Sequence, residues 1–191
     1  MKTIQKFINA TPYFVLISFL LFSRMQCEKI DVPEIEKLPS ATQTGADTFG
    51  CLVNGNALTP RGYLFSGPVL VCNYQYVTDG YYFLIRCSDQ KTFPNEIHTV
   101  RIWARKLALE EKEYILSEKG DLGNTYGTFE ILSSPLENNF TTDQANQGKL
   151  TITRLDTEKQ IISGTFWFDA INDKGEKVEV REGRFDMHFI K

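Results

Sequence analysis

The sequence is short of the groups on which most catalysis depends. Its 191 residues include only two histidines (His98 and His188), four cysteines and two tryptophans. No His-Glu-x-x-His helix, Gly-x-Ser-x-Gly elbow or phosphate-cradling glycine loop occurs. Cys51, Cys72 and Cys87 lack the paired Cys-x-x-Cys spacing of structural zinc sites, so neither a metal ligand set nor a cofactor is predicted. Positive charge is not in surplus: 21 basic residues face 24 acidic ones, which excludes the electrostatic footprint of a nucleic-acid binder. No apolar run reaches the roughly 20 residues that span a bilayer. What is present is a globular proportion of hydrophobic residues, 42%, too high for a disordered chain. The 14 Phe and 8 Tyr lean it towards strands.

The N-terminus is unlike the rest. Residues 1–26 carry Lys2, Lys6 and Arg24 and no acid, and Tyr13 to Phe22 is interrupted only by Ser18. A basic start, a short apolar stretch and a cysteine soon after describe a secretory signal peptide over 1–26. Cys27, five residues past Phe22, is the predicted lipidation site of an envelope lipoprotein. Acylation there would hold the protein to the outer membrane, facing the periplasm or the surface, without a transmembrane helix. Arg24-Met25-Gln26 departs from the small-residue pattern usual before such a cysteine. Residues 27–47 then lack apolar periodicity and contain Pro33, Pro39 and the polar run Ser40 to Gly45. They read as a flexible tether with a reach of roughly 25 Å.

Residues 48–191 read as one β domain. Phe49 to Val53 leads into Asn54-Gly55, a strong two-residue hairpin signal. Val69 to Val77 and Tyr81 to Cys87 flank Asp79-Gly80, a second such signal. A two-residue loop there pairs Thr78 with Tyr81 and sets Cys72 opposite Cys87, a candidate cross-strand disulfide that competes with three buried free thiols. The same register sends Cys72, Tyr74, Tyr76, Phe83, Ile85 and Cys87 to the core. Tyr82 falls on the partly wet face. His98 to Ala104 alternates as a strand, and Leu107–Leu109 and Tyr114–Leu116 follow with a break near residues 110–112.

The region from Asp121 to Asn146 is turn-rich, with one strand over 126–132 and then a long loop around 135–147. The C-terminal third predicts a strand meander: 149–155, 160–170, a turn over 172–176, and strands on either side of a bend or bulge at Glu182-Gly183. Ile162, Gly164, Phe166 and Phe168 take the core face, and Trp167 the other. Asp169 to Glu176 lacks an oxygen ligand at Ile171 and reads as a hairpin turn rather than a calcium loop. Nine or ten short strands with tight turns predict an all-β fold, a single antiparallel β-sandwich or an up-and-down barrel-like domain.

Three segments carry a resemblance. Ala41 to Gly45 with Thr48 to Gly55, Gly148 to Asp156 with Ile161 to Phe166, and Gly183 to Asp186 resemble small uncharacterised lipoproteins of Bacteroidota-type bacteria. The resemblance implies a lipid-anchored envelope protein with a β-rich domain, and lends no catalytic or binding residues.

Two functions of different class fit these observations. The first is a non-enzymatic, membrane-tethered domain that binds a small ligand, a glycan or another envelope protein, with Tyr82 and Trp167 as candidate binding aromatics. The second is an envelope hydrolase of glycosidase type using carboxylates, none of which the sequence marks out. A cleft with converging acids of perturbed acidity would favour the second.

Overall fold

The computed structural model describes residues 32–63, 67–120, 123–133 and 136–191. The predicted signal peptide and Cys27 lie outside these residues. Residues 33–191 form one compact unit. It holds a short 3-10 turn at Glu34–Lys37 and eleven strands: β1 Thr48–Val53, β2 Asn56–Leu58, β3 Leu70–Val77, β4 Gly80–Asp89, β5 Ile97–Arg105, β6 Glu113–Leu116, β7 Thr125–Ser133, β8 Leu136–Thr141, β9 Gly148–Asp156, β10 Ile161–Ile171 and β11 Lys177–His188.

The strands join in one sheet, ordered β2-β1-β11-β10-β9-β6-β7-β5-β4-β3, with β8 bridging β7 and β10. The sheet closes on itself. Past β11 the chain leaves β10 and runs along β3, where the Tyr74 N–H donates to the Ile190 carbonyl and the Ile190 N–H to the Cys72 carbonyl, both at 3.0 Å. The all-β prediction therefore holds, in barrel-like form, with short parallel contacts between β6 and β7, at the Asn73–Ile190 closure and between Arg61 and Asp89. A single apolar cluster fills the interior, with Phe49, Phe83, Phe166, Phe168 and Phe185 at its centre. Each such ring buried from water contributes roughly 1.5–3 kcal/mol. Two glycines make this packing fit: a Cβ on Gly127 would come within 2.8 Å of the Phe168 ring, and one on Gly183 within 2.5 Å of the Phe166 ring.

Local chemistry explains most elements. Asn54 (φ 48°) and Gly55 (φ 81°) are both left-handed, as a two-residue β1–β2 turn requires. The β3–β4 hairpin differs from the sequence reading. Its turn residues are Thr78 (φ 44°) and Asp79, and Val77 pairs with Gly80. Gly80 is needed for a different reason: a Cβ there would stand 3.0 Å from the Lys106 backbone. The slip amounts to two residues, so the facing of side chains survives, because strand faces alternate with period two. Phe83, Ile85, Cys72, Tyr74 and Cys87 are buried as expected, whereas Tyr76 is exposed near the hairpin tip.

The slip removes the basis for a disulfide. Cys72 pairs with Ile85 and Cys87 with Leu70, so the two cysteines are diagonal neighbours. Diagonal pairs lie about 7–8 Å apart, beyond the span of a disulfide. Cys51, Cys72 and Cys87 are free and buried, and burial raises the pKa of all three thiols well above the ordinary thiol range.

Two further segments differ. Residues 136–141, expected in a loop, form β8, which pairs along β7 from Leu136–Ser133 to Thr141–Thr128. Asn138 and Asn139 have low strand propensity, and the pairing with β7 overrides it. The larger difference concerns residues 33–47, read from composition as part of a flexible tether. They run along the domain as a docked strap. Leu38 is buried, and a Cβ on Gly50 would come within 2.6 Å of the Pro39 ring. Glu34 accepts the Ala57 N–H at 2.8 Å, which covers the open edge of β2.

Candidate functional site

The strap is fastened by Asp186, a fully buried carboxylate. Its two oxygens accept the Thr42 hydroxyl (2.6 Å), the Thr44, Gly45 and Ala46 backbone N–H groups (2.8, 2.8 and 3.1 Å), the Thr44 hydroxyl (3.3 Å) and the Ser163 hydroxyl (2.7 Å). Consecutive N–H groups turned inward in this way form an anion-binding nest. Burial alone would raise the pKa of this group. The hydrogen bonds from Thr42, Ser163, Thr44 and Gly45 outweigh that effect and hold the carboxyl well below the usual carboxylate range. Strand alternation places Asp186 on the wet face of β11, so its burial is invisible without the strap.

Four residues before Asp186, β11 bulges as its sequence predicts. Phe166 pairs with Gly183 and Phe168 with Val180, so Trp167 alone faces both Arg181 and Glu182. Glu182 is left-handed (φ 54°), and the ladder to β1 shifts at the same place. The extra residue has a chemical consequence. Positions 181 and 184 of a regular strand would face opposite ways; across the bulge, both arginines reach the outer surface.

They line a groove of about 420 Å³ with Trp167, Thr165, Lys149, Thr151 and Glu182, and Ala41 of the strap forms one wall. Trp167 is 41% exposed. The Arg181 guanidinium lies 5.5 Å from the centre of a Trp167 ring and is held by the Phe168 and Val180 carbonyls at 3.0 Å and by Asp169 at 2.5 Å. Arg184 donates to the Glu182 carbonyl (3.1 Å) and to the strap's Pro39 carbonyl (3.5 Å). Lys149 pairs with Glu113 at 2.8 Å. The arrangement presents an indole, three cations, two threonine hydroxyls and one carboxylate to solvent.

Tyr82, the other candidate aromatic, lies elsewhere. It lines a smaller groove, about 270 Å³, on the outer face of β3, β4 and β5 with Gln75, Val77, Leu84 and Trp103. Its hydroxyl donates to Asp79 at 3.2 Å, and Trp103 stacks on Tyr126 at 6.1 Å. The two aromatics picked out in the sequence thus do not share a site. His98 is buried at one end of the barrel, stacked on Phe93 at 3.8 Å and bonded to Glu96 at 2.7 Å. His188 is exposed beside Asp47. Among the described residues, no group of three or more His, Cys, Asp or Glu side chains is placed to hold a metal ion. Sequence reasoning missed Arg181, Arg184, Asp186 and Lys149; the bulge signal at Glu182-Gly183 is the one cue that could have pointed to the arginines.

Residues 98–187 match the model of a family described as a domain of unknown function, DUF6252. The match runs from β5 into β11 and takes in Trp167, both groove arginines and Asp186, but not the strap. No curated protein and no solved structure matches the chain.

Proposed function

We propose that this chain is an exported envelope lipoprotein, anchored through Cys27, whose β domain acts as a non-enzymatic binding module through the Trp167 groove. The observation that carries the binding reading is the groove itself. An exposed indole and three cations share one surface, and a bulge in β11 brings two of those cations, Arg181 and Arg184, to it. The anchoring reading rests on the basic and apolar start, the cysteine that follows, and the resemblance to lipoproteins of Bacteroidota-type bacteria. With Cys27 as the first residue, the chain would carry 18 basic and 24 acidic residues, a net charge of −6, because residues 1–26 hold three of the basic residues and no acid.

Carboxylate hydrolysis is less well supported. A general acid must be held protonated. The carboxyls that depart from their ordinary range among the described residues, such as Asp156, Glu176 and Asp186, are all displaced downward by hydrogen bonds or ion pairs. The groove lining contains one carboxylate, Glu182. Metabolic labelling with palmitate tests the anchor: label and membrane retention are expected in the wild type and lost in Cys27→Ser. An unlabelled, freely released wild-type protein would refute the anchor and leave the binding reading standing.

A further inference from the structure

We propose that the Trp167 groove takes an acidic saccharide, a sugar ring that bears a carboxylate. The inference rests on the groove being the binding site, and it adds the ligand class from the chemistry of the lining. A flat apolar surface on an otherwise polar groove suits the C–H face of a pyranose ring, and Trp167 supplies that surface with the part of its indole that the Arg181 guanidinium does not cover. Lys149, Arg181 and Arg184 make the lining cationic on a protein that is acidic overall. Lys149 is engaged by Glu113, and Arg181 by Asp169 and Glu179, acids outside the groove lining. The acidic partner of Arg184 is Glu182, inside the groove and at 3.5 Å, a loose contact that leaves guanidinium donors for a ligand carboxylate.

Glu182 decides between ligand classes. A ligand that is only anionic, such as a phosphate ester or a sulfate, would meet repulsion from this carboxylate. A ligand that carries hydroxyls beside its own charge can donate to Glu182, Thr151 and Thr165 while its carboxylate meets Arg184. A sugar acid has both features. The strap contributes as well: Arg184 reaches the Pro39 carbonyl, so the docked strap orients the guanidinium.

The test uses the full chain in detergent with Trp103→Phe, which leaves Trp167 as the sole tryptophan. Its emission is followed against oligogalacturonate, against a neutral galactose oligosaccharide of equal length, and against acetate. Expected is a saturable change with oligogalacturonate, weakened by added salt. Arg184→Gln should weaken it at least about tenfold, with little change for the neutral sugar. Calorimetry with Trp167→Ala should show the acidic sugar's binding lost, and an unchanged melting temperature in each variant would show that the fold persists. Equal binding of the neutral sugar would overturn the acidic class and leave the groove as the site. An equal response to acetate would overturn the saccharide. No response to any of the three probes would overturn the ligand class. Binding of the acidic sugar that survives both Arg184→Gln and Trp167→Ala would overturn the groove reading itself.

Discussion

The two outer grooves of the barrel are built from similar material and end up with different chemistry. Both lie across three neighbouring strands and contain a large aromatic residue. Around Tyr82 the ladders of β4 with β3 and β5 run without a register shift, so side chains alternate strictly and the recess is lined mainly by Val77, Leu84 and Trp103. Around Trp167 one extra residue in β11 breaks that alternation and brings Arg181 and Arg184 to the same surface. A strap that begins some 150 residues earlier then supplies a wall. Regular pairing yields a packing surface, whereas a bulge and a distant segment yield a polar concavity.

The largest effect is expected where the strap is fastened. Asp186→Ala would leave the buried Ser163 hydroxyl, the strap's Thr42 and Thr44 hydroxyls and three backbone N–H groups without their acceptor. The expected loss is on the order of 2–4 kcal/mol, read by urea denaturation. The groove beside Trp167 should lose its Ala41 wall, while the Tyr82 groove keeps its lining. A stability equal to wild type would mean that the strap adds nothing. The pH dependence follows from the same group. Its folded-state pKa is lowered, so its stabilisation is complete above the unfolded value of about 3.9 and is lost progressively as pH falls below it towards the lower folded value. Asp186→Asn should flatten that part of the stability profile.

Gly183→Val comes next. Its side chain would overlap the Phe166 ring, with a cost of about 1–3 kcal/mol and a disturbed bulge. The Trp167 environment should change in fluorescence while Trp103 does not. The matched change in the other region, Gly80→Ala, meets the Lys106 backbone at 3.0 Å. It should cost less, and a larger loss there than at Gly183 would reverse the comparison.

These contrasts also mark how much the sequence reveals. Short-range chemistry is legible: the Asn54-Gly55 turn, the strand faces around Phe166 and Phe168, and the bulge at Glu182 all follow from local residue types and period-two alternation. The groove is half legible, since Trp167 is placed on the outer face but the two arginines depend on how the bulge resets the parity of β11. The strap is illegible because Thr42, Thr44 and Asp186 are ordinary polar residues until the chain brings them together. Composition gives 33–47 no apolar pattern, yet a single carboxylate with six donors fixes it. The register of β3 and β4 is misread by two residues because a glycine needed for close backbone approach stands next to the turn.

Smaller effects follow. The thiols of Cys51, Cys72 and Cys87 should resist alkylation in the folded protein and react fully in denaturant, as mass spectrometry would show; rapid labelling of any one would contradict its burial. Tyr82→Phe removes one exposed hydrogen bond to Asp79 and should shift stability by no more than about 0.5 kcal/mol, in contrast with any change at Asp186.

The central claim is that residues 33–47 belong to the folded domain and complete its groove. Amide hydrogen exchange of Thr44, Gly45 and Ala46 tests it most directly. Slow exchange is expected in the wild type, with strong acceleration in Asp186→Asn while the amides of β10 and β4 remain protected. Fast exchange at these three amides in the wild type would contradict the claim.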